Sequence, residues 1–306
     1  MQALSLVLWL LSVAPAPLVA GLTQWVKARL QARQGPSPLQ PYSDVWKLIH
    51  RRATWPETAS PLFGLAPYLT FVTYILLLGL LSNLGAPVDG GADLLTPIFL
   101  IALAKFGMGL AALDTGTPLA ALGGGRAMFV HVLGEPTLVA LAYAYLLQAT
   151  GSPAKPGAES QYLLLLPPLL ISASLFGAIL IEAGRLPFEN SDTRLELTMI
   201  EDAIALDYGG PELAAWEWAR ALRLTFFFTL FVSVVVPAEA AADVSVSTRL
   251  GVLRVAVYLL LIVGLAVWEA TRPKARIRAV VAPAIVPLVL ALSAILFISV
   301  VRYFQP

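Results

Sequence analysis

Residues 182 to 218 read EAGRLPFENSDTRLELTMIEDAIALDYGGPELAAWEW and hold nine of the 19 acidic residues of this 306-residue chain, against only two basic ones, Arg185 and Arg194. Carboxylates gathered so densely repel one another, so some must hold protons or pair with Arg185, Arg194 or cations from elsewhere. That chemistry is proton loading and release. Over residues 192 to 207, helical steps of 100° set Asp192, Glu196 and Asp207 within about 60° of one another on one stripe. Leu197, Met199, Ile200, Ile204 and Leu206 occupy the rest of the wheel, as in a segment enclosed by protein. An ordinary solvated acidic loop would carry a polar flank instead. Pro187, Pro211, Gly209 and Gly210 divide the stretch, so its path is structured without being one straight helix.

Three further charges fall inside apolar runs: Lys105 amid LLTPIFLIALAKFGMGLAAL, Asp114 at the end of that run, and Glu135 beside Pro136. An ionisable group at bilayer depth costs on the order of 3 kcal/mol on insertion scales and normally faces a partner or water. Two readings stand side by side. Lys105 either pairs with a carboxylate and fixes helix packing, or belongs to a proton path in which Glu135 is the best-placed carboxylate. Pro136 frees a backbone carbonyl one turn earlier, a place for water beside that carboxylate.

The elements that must position these groups are membrane helices. Hydrophobic residues make up 58% of the chain and charged ones 13%, with a mean hydropathy of +0.79, which excludes a soluble domain. With no cysteine, the chain itself offers no thiolate for an iron–sulfur cluster, no disulfide and no cysteine nucleophile. His50 sits in a basic loop and His131 in an apolar run, a poor pair of axial ligands for a membrane haem.

Apolar runs of about 20 residues, the length that crosses a bilayer, lie near 3–26, 64–84, 94–114, 128–149, 161–182, 220–241, 251–270 and 280–303. The expected fold is an all-α integral membrane protein, a bundle of eight transmembrane helices forming a single transmembrane domain over 1–306. No Lys or Arg precedes Lys27, so the first run lacks the leading charge of a cleavable signal and reads as a retained helix. Lys and Arg concentrate after the first run (Lys27, Arg29, Arg33, Lys47, Arg51, Arg52), at Arg126, at Arg185, Arg194, Arg220 and Arg223, and at Arg272, Lys274, Arg276 and Arg278. The positive-inside rule then puts both termini outside and the long acidic 5–6 loop in the cytoplasm.

Five segments together make the sequence recognisable. EAGRLPFENSDTRLELTMIEDAIALDYGG resembles the loop between the fifth and sixth helices of the membrane subunit shared by respiratory complex I and the energy-converting membrane-bound nickel-iron hydrogenases, including formate hydrogenlyases. KARLQARQGPSPLQPYSDVWKLIH at 27–50, LDTGTP at 113–118, GGGRAMFVHVLGEP at 123–136 and WEATRPKARIR at 268–278 are similar to other segments of that family, in order along nearly the whole chain. GPSPLQ and ELTMI look more like the hydrogenase branch, of the formate hydrogenlyase subunit 4 type, than like complex I. Glu189 stands where Asp is common in the family and Asp207 where Glu is; both keep a carboxylate.

The resemblance implies an inner-membrane, multi-pass subunit at the elbow of an L-shaped complex. Expected partners are a soluble nickel-iron hydrogenase-like large subunit, an iron-sulfur small subunit, antiporter-like membrane subunits and lipid, with no nucleic acid. It implies an oxidoreductase subunit that binds no cofactor itself, the iron-sulfur clusters and nickel-iron centre lying in partners. By motif, Glu135, Glu182, Glu189, Asp192, Glu196, Glu201 and Asp207 would line a proton-coupling route, joined by Lys105 and Asp114 from the reading of buried charge, and Arg185 would position the loop. One alternative is the same architecture with a bound quinone, in a cleft between helices 1 and 6 to which Trp25, Phe63 and Phe226 to Phe228 could contribute. Others are a stand-alone ion transporter using Lys105, Asp114 and Glu135, and a purely structural anchor.

Overall fold

The computed structural model describes residues 13–83, 92–150, 160–189, 199–236, 244–271 and 281–304. Among them the regular structure is entirely helical: α1 (Ala16–Leu30), α2 (Gln40–Ile49), α3 (Pro61–Asn83), α4 (Ala92–Asp114), α5 (Pro118–Thr150), α6 (Ser160–Glu182), α7 (Glu201–Ala205), α8 (Gly210–Val235), α9 (Val244–Thr271) and α10 (Val281–Phe304). Six of these are long and apolar enough to cross a membrane, within α3, α4, α5, α8, α9 and α10. The described apolar part of α6, Leu166–Glu182, is shorter, and residues 1–12 of the first expected span lie outside the described residues.

The long helices are apolar around most of their circumference because their backbone satisfies itself and both lipid and protein neighbours are hydrophobic. Leu260, Phe99 and Leu296 are each more than three-fifths exposed. Small residues and the phenylalanine triplet of α8 face inward instead. Ala111, Ala112, Ala144, Ala178, Ala291 and Ala294 are fully buried, as are Phe226, Phe227 and Phe228.

Two helices organise the bundle. Helix α8, the most enclosed of the spans, packs against α1, α2, α3, α6 and α9, and α5 packs against α4, α6, α7 and α10. The short helix α7 lies on α5 because Gly123 leaves room: a Cβ there would come within 2.7 Å of Ala203 Cβ and of the Ile200 carbonyl.

Several boundaries differ from those read off hydropathy. Helix α5 begins ten residues before the expected 128, absorbing GGGR, because Pro118 suits the first turn and the glycines allow close packing that outweighs their poor propensity. Likewise α8 begins at Gly210 rather than 220, so that Arg220 and Arg223 lie well inside it rather than at its start, and the earlier start of α5 takes in Arg126. Where residues 192 to 207 were considered as one helix, the described part is helical only over α7, entered through Ile200 at φ −120°, ψ −84°. Residues 190–198, with Asp192, Arg194 and Glu196, lie outside the described residues. Phe63 and Phe226 to Phe228 are closed into the core and line no open cleft; Trp25 is partly exposed, with Arg29 5.4 Å from its ring centroid.

Candidate functional site

Lys105, deep in α4, reaches the C-terminal residue of α6 and forms an ion pair with Glu182 Oε2. Both side chains are buried, Glu182 completely. Two charges removed from water hold together only through each other, and removing one partner of such a pair costs about 3–5 kcal/mol. Gly134 of α5 makes the space. A Cβ at that position would lie 2.8 Å from Glu182 Oε1 and 2.8 Å from Ile181 Cγ2.

A second pair closes α7 onto α8. Arg223 donates two parallel hydrogen bonds to Glu201, Nη1 to Oε1 at 2.7 Å and Nη2 to Oε2, the fork geometry that suits guanidinium and carboxylate. One turn earlier on α8, Arg220 pairs with Asp202 at 2.8 Å and with Glu217 at 3.5 Å. Thus two arginines spaced i, i+3 meet two adjacent carboxylates at the start of α7. Burial raises the Glu201 pKa, but Arg223 and then Arg220 override it and hold Glu201 down at about 2.

Glu189 completes the cluster without a cation of its own among the described residues. Its Oε1 accepts the backbone N–H groups of Ile200 at 3.1 Å and Asp202 at 2.8 Å, while Oε2 is buried without a partner. Burial first, and the charge of Glu201 second, push Glu189 up to about 7, against the opposing pull of Arg220. Four carboxylates, Glu189, Glu201, Asp202 and the more exposed Glu217, therefore share two arginines, and Glu189, the one left unmatched, sits near the pH at which a proton can be taken up or given away.

Between the two buried pairs lies a small cavity of about 20 Å³ lined by residues of both, among them Lys105, Glu201 and Arg223, together with Tyr74 and His131. It joins the membrane half of the cluster to the α7 half. The remaining expected residues are elsewhere. Glu135 lies near the middle of the 33-residue α5, half-buried, with no hydrogen bond or ion pair to another described residue. Asp114 accepts the Ser60 N–H at 2.7 Å, and Asp207 accepts from the Thr117 hydroxyl. These two tie the 51–60 and 114–117 connections to the segment before α8. The Trp55 indole donates to Glu212 at 3.2 Å, and Tyr208 stacks on Phe63 with centroids 4.0 Å apart.

Arg185 does reach a carboxylate, but one that sequence reading missed. Glu269 near the end of α9 takes Arg185 Nη1 at 3.3 Å on one oxygen and Lys27 Nζ at 3.0 Å on the other. Its neighbour Trp268 donates Nε1–H to the Leu186 carbonyl at 2.9 Å. Arg220 and Arg223 were also missed as partners, because they were counted with the charges at the end of the 5–6 connection. The available signal was their i, i+3 spacing opposite the adjacent Glu201 and Asp202. His131 and Tyr74 gave no such signal.

An all-helical membrane protein with a cluster of buried, mostly paired charges is the class that the fold and the site define. Comparison with known proteins narrows it further. The sequence pattern of the NADH dehydrogenase family matches residues 2–300, and the chain belongs to that family. It is 30% identical over 240 residues to hydrogenase-4 component C of Escherichia coli, covering 76% of this chain and 75% of that one. It is 30% identical over 236 residues to formate hydrogenlyase subunit 4 of Escherichia coli, covering 73% of this chain and 74% of the relative. A chain in the structure of the membrane-bound sulfane sulfur reductase, an archaeal respiratory membrane complex, superposes with a TM-score of 0.71 at 20% identity over 95% of this chain and 98% of that one. The fold is therefore shared with that chain, and this protein is a membrane subunit of the complex I-like and hydrogenase type.

Proposed function

We propose that this chain anchors the soluble, electron-carrying arm of a membrane-bound nickel-iron hydrogenase complex and links electron transfer there to ion translocation, as a non-catalytic subunit. The two relatives at 30% identity, both hydrogenase-type subunits by name, support that branch. In this reading the chain is a single transmembrane domain of eight spans in the cytoplasmic membrane, both termini outside and the 182–218 segment on the cytoplasmic side. Iron-sulfur clusters and the nickel-iron centre belong to soluble partners, and antiporter-like subunits adjoin it in the membrane.

The observation that carries the reading is Glu189: a buried carboxylate, near neutrality, at the head of a line of paired charges leading inward. A unit charge arriving about 4 Å away is worth roughly 4 kcal/mol at an effective dielectric of 20, or about 3 pKa units. Electron arrival beside the loop would therefore take Glu189 from half-loaded to fully protonated, and its departure would reverse this. Glu201 and Arg223 pass the change in field to Lys105 and Glu182 through side chains that are buried from bulk solvent. Asp192 and Glu196 are proposed members of the same route, and Arg185 its positioning arginine.

The test is Glu189→Gln in the assembled complex, read as ions moved per electron. A lower ratio with redox turnover retained is expected. An unchanged ratio overturns the coupling role.

One observation bears on the quinone alternative. An open groove of about 560 Å³ lies between α1, α2 and α8, lined by Pro17, Tyr42, Trp46 and Trp218 among others. Its hydroxyls are already committed, Tyr42 to the Ala14 carbonyl and Ser43 to the Gln40 carbonyl, while Trp218 Nε1–H is a buried donor without a partner and Lys47 also lines the groove. A quinone analogue that inhibits the complex, with resistance from substitution of Tyr42 or Trp46, would restore that alternative.

A further inference from the structure

We infer that Trp268 and Glu269, adjacent at the end of α9, are positioning residues for Glu189: by gripping the turn at 184–188 they set where that carboxylate sits against Glu201 and keep water from it. That Glu189 loads protons in turnover rests on the function proposed above; that α9 sets its proton affinity does not.

The turn is closed by bonds of its own. Gly184 follows α6 at φ +57°, its N–H on the Ile181 carbonyl at 3.3 Å and that of Arg185 on the Leu180 carbonyl at 2.9 Å, the paired bonds of a Schellman ending. The Arg185 carbonyl then accepts the N–H of Phe188 at 2.8 Å and of Glu189 at 3.4 Å. These bonds give Glu189 a fixed exit direction, but they all run between α6 and the turn itself.

Helix α9 supplies the hold from outside. Trp268 donates Nε1–H to the Leu186 carbonyl at 2.9 Å, and Glu269 takes Arg185 Nη1 at 3.3 Å. Two consecutive residues of α9 therefore grip two consecutive residues of the turn. Neither grip is loose. The Trp268 ring meets Phe176 of α6 edge to face with centroids 5.8 Å apart, and the second oxygen of Glu269 is held by Lys27 of α1 at 3.0 Å.

Seated in this way, the turn folds the Glu189 carboxylate back over its own backbone. A Cβ on Gly184 would lie 3.0 Å from Glu189 Oε2 and 3.7 Å from Glu201 Cδ, so both carboxylates crowd the same glycine. Leu186 and Phe188 are buried, and so is Glu189. Burial and the charge of Glu201 are what raise Glu189, and both depend on the seat of the turn. Its other charged neighbours, Asp202 and Arg220, belong to α7 and α8, and Arg223 of α8 holds Glu201. Loosening the α9 grip leaves those in place, admits water to Glu189 and draws it away from Glu201. Both changes lower its proton affinity toward that of an ordinary glutamate.

The experiment is an infrared pH titration of the native complex, following the protonated-carboxyl band that Glu189→Gln abolishes. Trp268→Phe keeps a ring against Phe176 and removes only the donor, with no change of charge; Phe176→Leu, also neutral, unseats the indole without altering it. Expected in both is an acid shift of the midpoint by roughly half a pH unit, about a threefold loss of proton affinity. Glu269→Gln should shift it further, because the uncompensated charges of Arg185 and Lys27 act in the same direction. A role confined to holding the fold together would lower the unfolding midpoint and leave this titration where it was. A titration unchanged in whichever of the two neutral variants assembles overturns the assignment, even if Glu269→Gln moves it. Should Glu189→Gln leave ions per electron unchanged while Trp268→Phe shifts the titration, the coupling function fails and the positioning role remains.

Discussion

Lys27 Nζ lies 3.0 Å from Glu269 Oε2, joining α1 to the end of α9, and the second oxygen of that carboxylate holds Arg185. Glu269 therefore ties three segments together, one of them the turn that leads into Glu189. Substituting Glu269→Gln leaves two cations with no anion between them, a loss on the order of 3 kcal/mol for a buried pair. Amides of residues 183–189 should then exchange faster, because local opening of the turn no longer has to break the Arg185–Glu269 pair. Hydrogen exchange on the native complex checks this. Arg185→Gln should give a similar effect, and the double variant less than the sum of the two.

The pH dependence of stability follows from Glu189 and Glu201, with opposite signs. Glu189 is raised from 4.5 to about 7, so the folded chain keeps a proton that the unfolded chain has lost. Its contribution is complete below about 4.5 and is lost as pH rises through 7. Glu201 is lowered from 4.5 to about 2; its contribution is present above 4.5 and is lost as pH falls through 2. Between pH 4.5 and 7 the Glu189 effect is the one that changes. Thermal unfolding of the purified full-length chain in detergent should show a midpoint that declines across that interval, and Glu189→Gln should flatten the decline.

Gly134→Ala should loosen the Lys105–Glu182 pair without touching either residue. The added Cβ would meet Glu182 Oε1 and Ile181 Cγ2, each at 2.8 Å, so α5 and α6 must separate or Glu182 must turn away. Overpacking of this kind typically costs about 1–3 kcal/mol, read as a lower unfolding midpoint and fewer ions moved per electron. Gly125→Ala on the same helix has open space within 4 Å of the new carbon. It should be neutral or slightly stabilising, by up to about 1 kcal/mol of helix propensity.

Much of the architecture was legible because hydrophobic length is a one-dimensional property. Of the eight apolar runs read as spans, six coincide with described helices long and apolar enough to cross a membrane, and the pairing of Lys105 with a carboxylate could be expected from its depth alone, since an unpaired ammonium there is too costly. Helix ends were less legible. GGGR and GPELAAWEWAR carry polar or flexible residues that hydropathy reads as connection, yet α5 and α8 extend through them, because Gly123 lets α7 approach and the arginines find carboxylates once the helices are packed.

The sequence by itself determined that this is a helical membrane protein with an excess of acid in one segment, because composition and run length depend on nothing beyond the chain's order. Which carboxylate is left without a cation could only be decided in three dimensions. Arg223 is 22 residues from Glu201, Lys105 is 77 from Glu182, and Lys27 is 242 from Glu269. Only packing brings those partners together, and only after they have paired does Glu189 remain, held by two backbone N–H groups at a pKa near neutrality.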